Sequence, residues 1–307
     1  MMPFQVEHLS TLIALVDEGT FEAASTRLHI TASAVSQRVK AMEQSAGQVL
    51  VQRTTPVVTT AAGEVVLRYA RQVQLLGADT AESLGRASGA GSPNVDPGAK
   101  PEHVSIAIAV NADSLATWFL PALAALPQPT GTVFDLKRDD QEHTTQLLRS
   151  GEVMAAVTST AEAVQGCSTE PLGTMRYLAV ASPGFVAEWL NADPRLLSSS
   201  PMVNFDRKDD LQHRFLRTLT GSTARPPCHY VPTSADFARA IVLGLGWGLL
   251  PELQCGAALA DGSLVELAPG HPVDVNLFWQ RWNLSSAHLN RVTEVVREGA
   301  QKALRAA

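Results

Sequence analysis

Two sets of residues in this chain have types and spacing that could do chemistry. The first lies between 31 and 53: Thr31, Ser33, Ser36, Gln37, Arg38, Lys40 and Arg53. Hydroxyls, an amide and cations in so short a span can hydrogen-bond base edges and pair with phosphates. The second set lies beyond residue 110 and is largely acidic: Asn111, Asp113, Ser114, Thr117, Asp140, Asp209, Thr233 and Asp236. Carboxylates converging on one cleft select the cationic end of a ligand through charge-assisted hydrogen bonds. The turn at 111–117 opens a helix, where backbone N–H groups favour an anion such as an amino-acid carboxylate. Each position has a plainer reading beside it. Asn111 or Asp113 can simply cap a helix, and the run DRKDD at 206–210 can be a solvated loop.

Other chemistries find no support. The chain has no G-x-S-x-G, H-E-x-x-H, Walker or C-x-x-C motif, and its histidines form no i, i+4 pair of metal-ligand character. GLGWGLLP at 244–251 is not the dinucleotide pattern, and its glycines suit a tight turn from a helix into a strand. No cofactor, metal or catalytic residue is expected, and an enzyme is the weakest of the function classes.

The elements that must position the first set are three short helices. Leu9, Leu12, Ile13 and Val16 make one apolar stripe, ended by Gly19-Thr20, and Phe21, Ala24 and Leu28 make a second. Thr31 suits the N-cap of a third helix, in which Val35, Val39 and Met42 share a face. At about 100° per residue, Ser33, Gln37 and Lys40 fall opposite that face, with Ser36 and Arg38 on its flanks. Such a face is equally that of an ordinary solvated helix. The layout of three tight helices with a Gly-containing turn is what favours a helix lying in a major groove. Two β-prone runs around Thr54-Thr55-Pro56 read as a wing with Arg53 at its tip.

Residues 61–86 form one long helical pattern. Val65, Tyr69, Val73, Leu76, Thr80 and Leu84 recur like a coiled-coil seam, which predicts pairing of two chains. Residues 87–102, rich in Gly, Pro, Ala and Ser, read as a flexible hinge. From HVSIAIAV at 103–110 onward the pattern alternates strand and helix, predicting an α/β region with a largely parallel sheet. A second such unit is expected from RYLAVASP at 176–183, and an amphipathic helix over roughly 286–305. Trp118 reads as core.

Charge divides unevenly. The 307 residues carry 24 Lys and Arg against 30 Asp and Glu, a net −6 that speaks against nucleic acid if taken whole. Residues 1–86, however, hold seven basic against eight acidic groups, so the excess of acid lies mostly in the second region. Three cysteines, Cys167, Cys228 and Cys255, are far apart and read as buried small hydrophobes in a reducing compartment. With no signal-peptide pattern and no apolar run long enough to span a bilayer, the expected place is the cytoplasm.

The stretch Phe21-Glu22-Ala23-Ala24, Leu28, TASAVSQRVKAMEQSAGQVLVQRT (31–54) and Thr60-Ala61-Ala62-Gly63 resembles the LysR-type transcriptional regulators nearly position by position. Val51 departs from it, standing where that family commonly has an aromatic. NADSLATWF (111–119), Asp140, LLRSGEVMAAVT (147–158), LGTMRYLAVASP (172–183) and GLGWGLLPE (244–252) resemble the branch of lysine- and arginine-responsive regulators. The resemblance implies a mainly α winged helix-turn-helix at 1–60, a dimerisation linker helix at 61–86 and a hinge at 87–102. It then implies a two-subdomain α/β effector-binding region of periplasmic-binding-protein type at 103–307. Subdomain I would take about 103–170 and 270–307, and subdomain II about 171–269. It also implies a homodimer or homotetramer on a quasi-palindromic double-stranded promoter site. The effector would be L-lysine or L-arginine, and the target a basic amino-acid exporter gene under activation. A solute-binding protein without a DNA role is the second class, disfavoured by residues 1–86.

Overall fold

A computed structural model describes residues 4–87, 103–127, 131–138, 141–190 and 193–306. The apolar stripes of the first region become α1 (Val6–Glu18), α2 (Phe21–Leu28) and α3 (Ala32–Ala46). Gly19 ends α1 in the left-handed conformation, and Thr20 caps α2 by accepting from the Ala23 N–H. Leu12, Val35, Val39 and Met42 are buried completely in one small core. A two-stranded wing follows, β1 (Val51–Gln52) against β2 (Val58–Thr59), antiparallel. Val51 is buried in the same core, so an aliphatic side chain fills the position where the resemblance leads one to expect an aromatic. Gly63 lies where α4 (Ala61–Ala87) starts beneath the wing, and a Cβ there would fall 1.9 Å from the Leu50 carbonyl oxygen. Only a glycine permits that approach.

The linker helix α4 has two unlike faces. Leu67, Ala70 and Leu75 are buried, Leu67 and Ala70 in the first core and Leu75 in the large core of the following region. On the other side Val65 is 70% exposed, Leu76 41% and Leu84 64%, whereas Tyr69 and Val73 of the expected seam pack against the first core, so that seam is bare only in part. The hinge expected at 87–102 lies, beyond Ala87, outside the described residues.

In the second region β3 (Val104–Val110), α5 (Ala112–Ser114), a π-type turn at Leu115–Phe119, α6 (Leu120–Ala124), β4 (Thr132–Arg138), α7 (Gln141–Ser150) and β5 (Ala155–Thr158) give the β-α-β-α-β order that the sequence predicts. Strand β6 (Cys167–Ala181) is longer than the expected 176–183. It is followed by α8 (Pro183–Phe185), β7 (Met202–Asn204), α9 (Leu211–Thr220), β8 (Cys228–Tyr230), α10 (Ser234–Val242), β9 (Gly248–Pro251), α11 (Glu252–Ala260), β10 (Val265–Glu266), β11 (Val273–Trp282) and α12 (Ala287–Ala303).

One expectation is corrected here. The seven-stranded sheet, ordered β10-β6-β11-β5-β3-β4 with β9 also on β6, is mixed and not largely parallel. β3 pairs in parallel with β4 and β5, but β6 and β11 pair antiparallel with each other and with their other neighbours. Local periodicity shows a crossover helix, whereas the partner of a strand some hundred residues away leaves no local mark. The long strands β6 and β11 link two halves, one holding β3–β5 and the other β7–β10. A second correction concerns the cysteines: Cys255 alone is buried, and Cys167 and Cys228 are half-buried. Trp118 is core, as expected.

Candidate functional site

The α3 surface is built by its cap and its buried stripe. The Thr31 side chain accepts from the Ala34 N–H at 3.1 Å, which fixes the start of the helix and spends the acceptor locally. With Val35, Val39 and Met42 inward, Ser33, Gln37 and Lys40 are exposed and Ser36 and Arg38 half-buried. Arg38 donates to the Thr11 Oγ1 of α1 at 3.2 Å, a partner that the sequence did not suggest. Arg53 is exposed at the end of β1, with its guanidinium 5.4 Å from the centre of the Phe21 ring. The wing is held to the α1–α2 turn by the Val57 N–H, which donates to the Gly19 carbonyl at 2.7 Å. One short segment therefore presents two cations, two serines and a glutamine on one side of a rigid unit.

Of the acidic set, Asp113 sits at the junction of the two halves, near enough to Asp209 for that charge to act on it. Its Oδ2 accepts from the Tyr177 hydroxyl of β6 and its Oδ1 from the Ser234 hydroxyl of α10, both at 2.8 Å. One carboxylate thus joins the first half, a linking strand and the second half. Gln254 of α11 supports Ser234 by donating to its carbonyl at 3.0 Å. Burial pushes the Asp113 carboxyl above the usual carboxylate range, the hydroxyls of Ser234 and Tyr177 partly offset this, and the charge of Asp209 adds to the rise. Burial, with the charge of Asp113 behind it, pushes the Tyr177 phenol well above its ordinary value. Asp209 accepts from the Phe205 and Leu211 N–H groups, at 3.4 and 3.0 Å, and so shapes the loop leading into α9.

Three polar atoms nearby are buried without a partner: Asn111 Oδ1, Ser114 Oγ and Asn204 Oδ1. Asn111 follows the carboxyl end of β3 and Asn204 ends β7, the strand ends where open α/β sheets take ligands. Buried polar atoms ordinarily have partners, and these three have capacity left to bond a ligand's polar groups. Asn111 makes no side-chain cap.

Other expected residues are occupied locally. Thr117 donates to the Asp113 carbonyl within its own helical turn. Thr233 caps α10 and donates to the Asp236 carboxylate, and Asp236 is exposed. Asp140 lies outside the described residues. Tyr177, Ser234 and Asn204 were missed by sequence reasoning. Only Tyr177 carried a usable signal, a phenol leading into the apolar run LAVA, whose hydroxyl must find a partner once buried. A cavity of about 510 Å³ between α9 and residues 270–275, lined by Leu211, Phe215 and His271, holds none of the expected residues.

The linker helix is fastened to the second region at two points. In its first half, Arg68 donates to the Gln165 carbonyl and Arg71 to the carbonyls of Gly151 and Glu152. Near its end, Glu82 forms a two-bond pair with Arg291, and Asp79 accepts from the His288 N–H at the start of α12. Arg291 and Thr132 lie 3.0 and 2.9 Å from His288 Nδ1. Arginine cannot accept, so Nδ1 does, and Nε2 is turned to Asp79 and Glu82.

Comparison with known proteins agrees with these two regions. Residues 6–64 match the bacterial regulatory helix-turn-helix protein of the lysR family, and residues 100–301 match the LysR substrate binding domain. The lysine export transcriptional regulatory protein LysG of Corynebacterium efficiens is 42% identical over 300 residues, which is 97% of this chain and 98% of that protein. The crystal structure of ArgP from Mycobacterium tuberculosis aligns over 98% of both chains at 39% identity, with a TM-score of 0.82. Full-length LysG of Corynebacterium glutamicum with bound effector Arg aligns over 98% of this chain and all of its own at 40% identity, with a TM-score of 0.74. These relatives are transcriptional regulators and not enzymes. A chain that keeps both matched regions in order, and shares nearly its whole length with such regulators, belongs to the LysR family of bacterial transcriptional regulators.

Proposed function

We propose that this protein works in the cytoplasm as a regulator whose promoter activity is set by a basic amino acid, L-lysine or L-arginine, held at the junction of the two halves. It would activate a gene for basic amino-acid export. The observation that carries the reading is Asp113. Its carboxylate is bonded to two hydroxyls, lies within the field of a second carboxylate and sits beside unpartnered carbonyl oxygens of Asn111 and Asn204. Such a site wants a cation that brings several N–H donors. Relatives at about 40% identity are named for lysine export, and one holds Arg. A side-chain ammonium or guanidinium then meets Asp113 and Asp209. This places the cation closer to the 111–117 turn than the sequence alone suggests, since the carboxylate of Asp113 itself occupies that turn.

On the DNA side, Ser33, Ser36 and Gln37 read base edges, and Arg38, Lys40 and Arg53 hold phosphates, with Thr31 fixing the start of the reading helix. The bare face of α4 pairs two chains into a dimer on a quasi-palindromic site, and two dimers make the tetramer. The protein divides at about 1–60, 61–86, 87–102 and 103–307 for these tasks. Isothermal calorimetry of the purified protein with L-lysine, L-arginine and L-histidine tests the effector. Heat with lysine or arginine is expected, and no heat with any of the three removes the basic-effector reading. Gel shifts with Arg38→Ala and Arg53→Ala test the surface. Both should weaken binding, and unchanged affinity in both would mean that DNA is read elsewhere.

A further inference from the structure

Contacts run without a break from the junction of the two halves to the helix-turn-helix, and Arg71 stands in their middle. At the far end Arg138, the last residue of β4, donates to the Pro232 carbonyl at 3.0 Å, and its guanidinium lies 5.7 Å from the centre of the Phe205 ring. It therefore reaches from the first half to the second. Alternation along the strand turns the preceding residue to the other face. There Lys137 Nζ meets Glu152 Oε2 at 3.2 Å.

Glu152 belongs to the turn between α7 and β5, and this turn is pressed against the linker helix. Gly151 has φ +80°, and a Cβ on it would fall 2.7 Å from the Arg68 Cα. The carbonyls of Gly151 and Glu152 accept from one nitrogen of Arg71, the first at 2.9 Å. The other nitrogen meets Asp17 Oδ1 at 2.6 Å. Asp17 lies in the last turn of α1, and its second oxygen meets Arg27 of α2 at 3.1 Å. Arg71 is 5% exposed, so this planar fork joins three parts of the molecule away from water.

We propose that Arg71 is a positioning residue through which the arrangement of the two halves reaches the DNA-reading head. The proposal rests on the reading of the junction as the effector site. A ligand that changes how the halves close moves the end of β4, and through Lys137 and Glu152 the turn that Arg71 grips. The head then changes its attitude through Asp17. Effector and DNA thereby bias one equilibrium, which is what linkage between two sites requires.

Coupling is an energy, so the test is a double-mutant cycle on the full-length protein without effector. The probe is a fluorescein-labelled duplex selected by the wild-type protein from a random-sequence pool, and the readout is its Kd by anisotropy. Arg138→Ala should change that Kd by about five-fold or more in the wild-type background. In the Arg71→Lys background, where the charge stays but the fork is lost, the same change should have an effect within about two-fold of none. Glu152→Ala, which removes the acceptor of Lys137 and leaves the backbone carbonyls in place, should abolish the Arg138 effect in the same way. It also serves should Arg71→Lys fail to fold. A merely structural role for Arg71 would lower the Tm yet leave the Arg138 effect intact. Equal Arg138 effects in the altered and wild-type backgrounds, or no Arg138 effect in the wild type, overturn the proposal. The cycle uses no effector, so its outcome is separate from the calorimetric test of lysine and arginine.

Discussion

The DNA-reading head and the effector junction are assembled in opposite ways. The head is local: α1, α2, α3 and the wing span residues 6–59, its core is filled by their own stripes and by Val66, Leu67 and Ala70 early in α4, and its caps are set by Thr20, Thr31 and two glycines. The junction is distributed. Asp113 meets Tyr177, which is 64 positions away, and Ser234, which is 121 away. The head can be specified by a continuous motif, because its caps close within a turn of chain and its longer ties, Arg38 to Thr11 and Val57 to Gly19, stay inside the same short stretch. The junction needs the whole sheet folded first, since its partners share no segment. A similar contrast runs along α4, whose buried face is claimed by its own chain and whose other face leaves Val65, Leu76 and Leu84 exposed.

The comparison can be broken at several points. Met42 is fully buried in the small core of the head, so Met42→Ala should cost about 2–5 kcal/mol there. Urea unfolding followed by head-specific and junction-specific probes should show the head melting first, with lysine or arginine binding retained. Simultaneous loss of both would mean that the contacts at Arg71 and Leu75 make one cooperative unit.

Asp113→Asn should remove a charge-assisted bond worth about 1.5–3 kcal/mol, seen as weaker binding of lysine or arginine. Its pH behaviour has a definite sign. The folded carboxyl holds its proton more tightly than the unfolded one, so its contribution to stability is full at low pH and falls as pH rises through the raised folded value. Asp113→Asn should therefore raise the effector-free Tm at neutral pH and flatten that decline. A lower Tm with an unchanged slope would show that Asp113 is not the strained group. Effector affinity in the unaltered protein should rise over the same window, as the carboxyl ionises.

Gln37→Ala should cost about 1–3 kcal/mol against the selected duplex and far less against a scrambled one. Equal losses on both would move Gln37 from reading bases to general attachment. The smallest effect is expected from Thr31→Ala, about 1 kcal/mol of head stability through loss of its cap, with the calorimetry unaffected.

Legibility followed the same division. Helix positions, the cap Thr31, the wing, the long linker helix and the strand-helix order from 103 to 158 can all be read from periods and turn residues. The mixed pairing of the sheet could not be. β6 and β11 meet across about a hundred residues, and their alternation is the same whether their neighbours run parallel or antiparallel. Among the expected junction residues, Asp113 of the first half has partners on a linking strand and in the second half, while Thr233 and Asp236 close on each other at the start of α10. A one-dimensional pattern of acids cannot separate a carboxylate that faces a cleft from one that caps a helix, because both sit just after a strand or just before a helix.

By itself, then, the amino-acid order determined what depends on neighbours a few residues apart: three helices, their caps, the outward face of α3 and the two-faced linker helix. Tertiary structure alone decided which hydroxyls bind Asp113, which polar atoms are left buried without partners, and that Arg71 grips the head and the second region at once. The physical reason is range. Caps and stripes are satisfied within a turn or two of helix, whereas burial of a charge and its consequences depend on every element that closes over it.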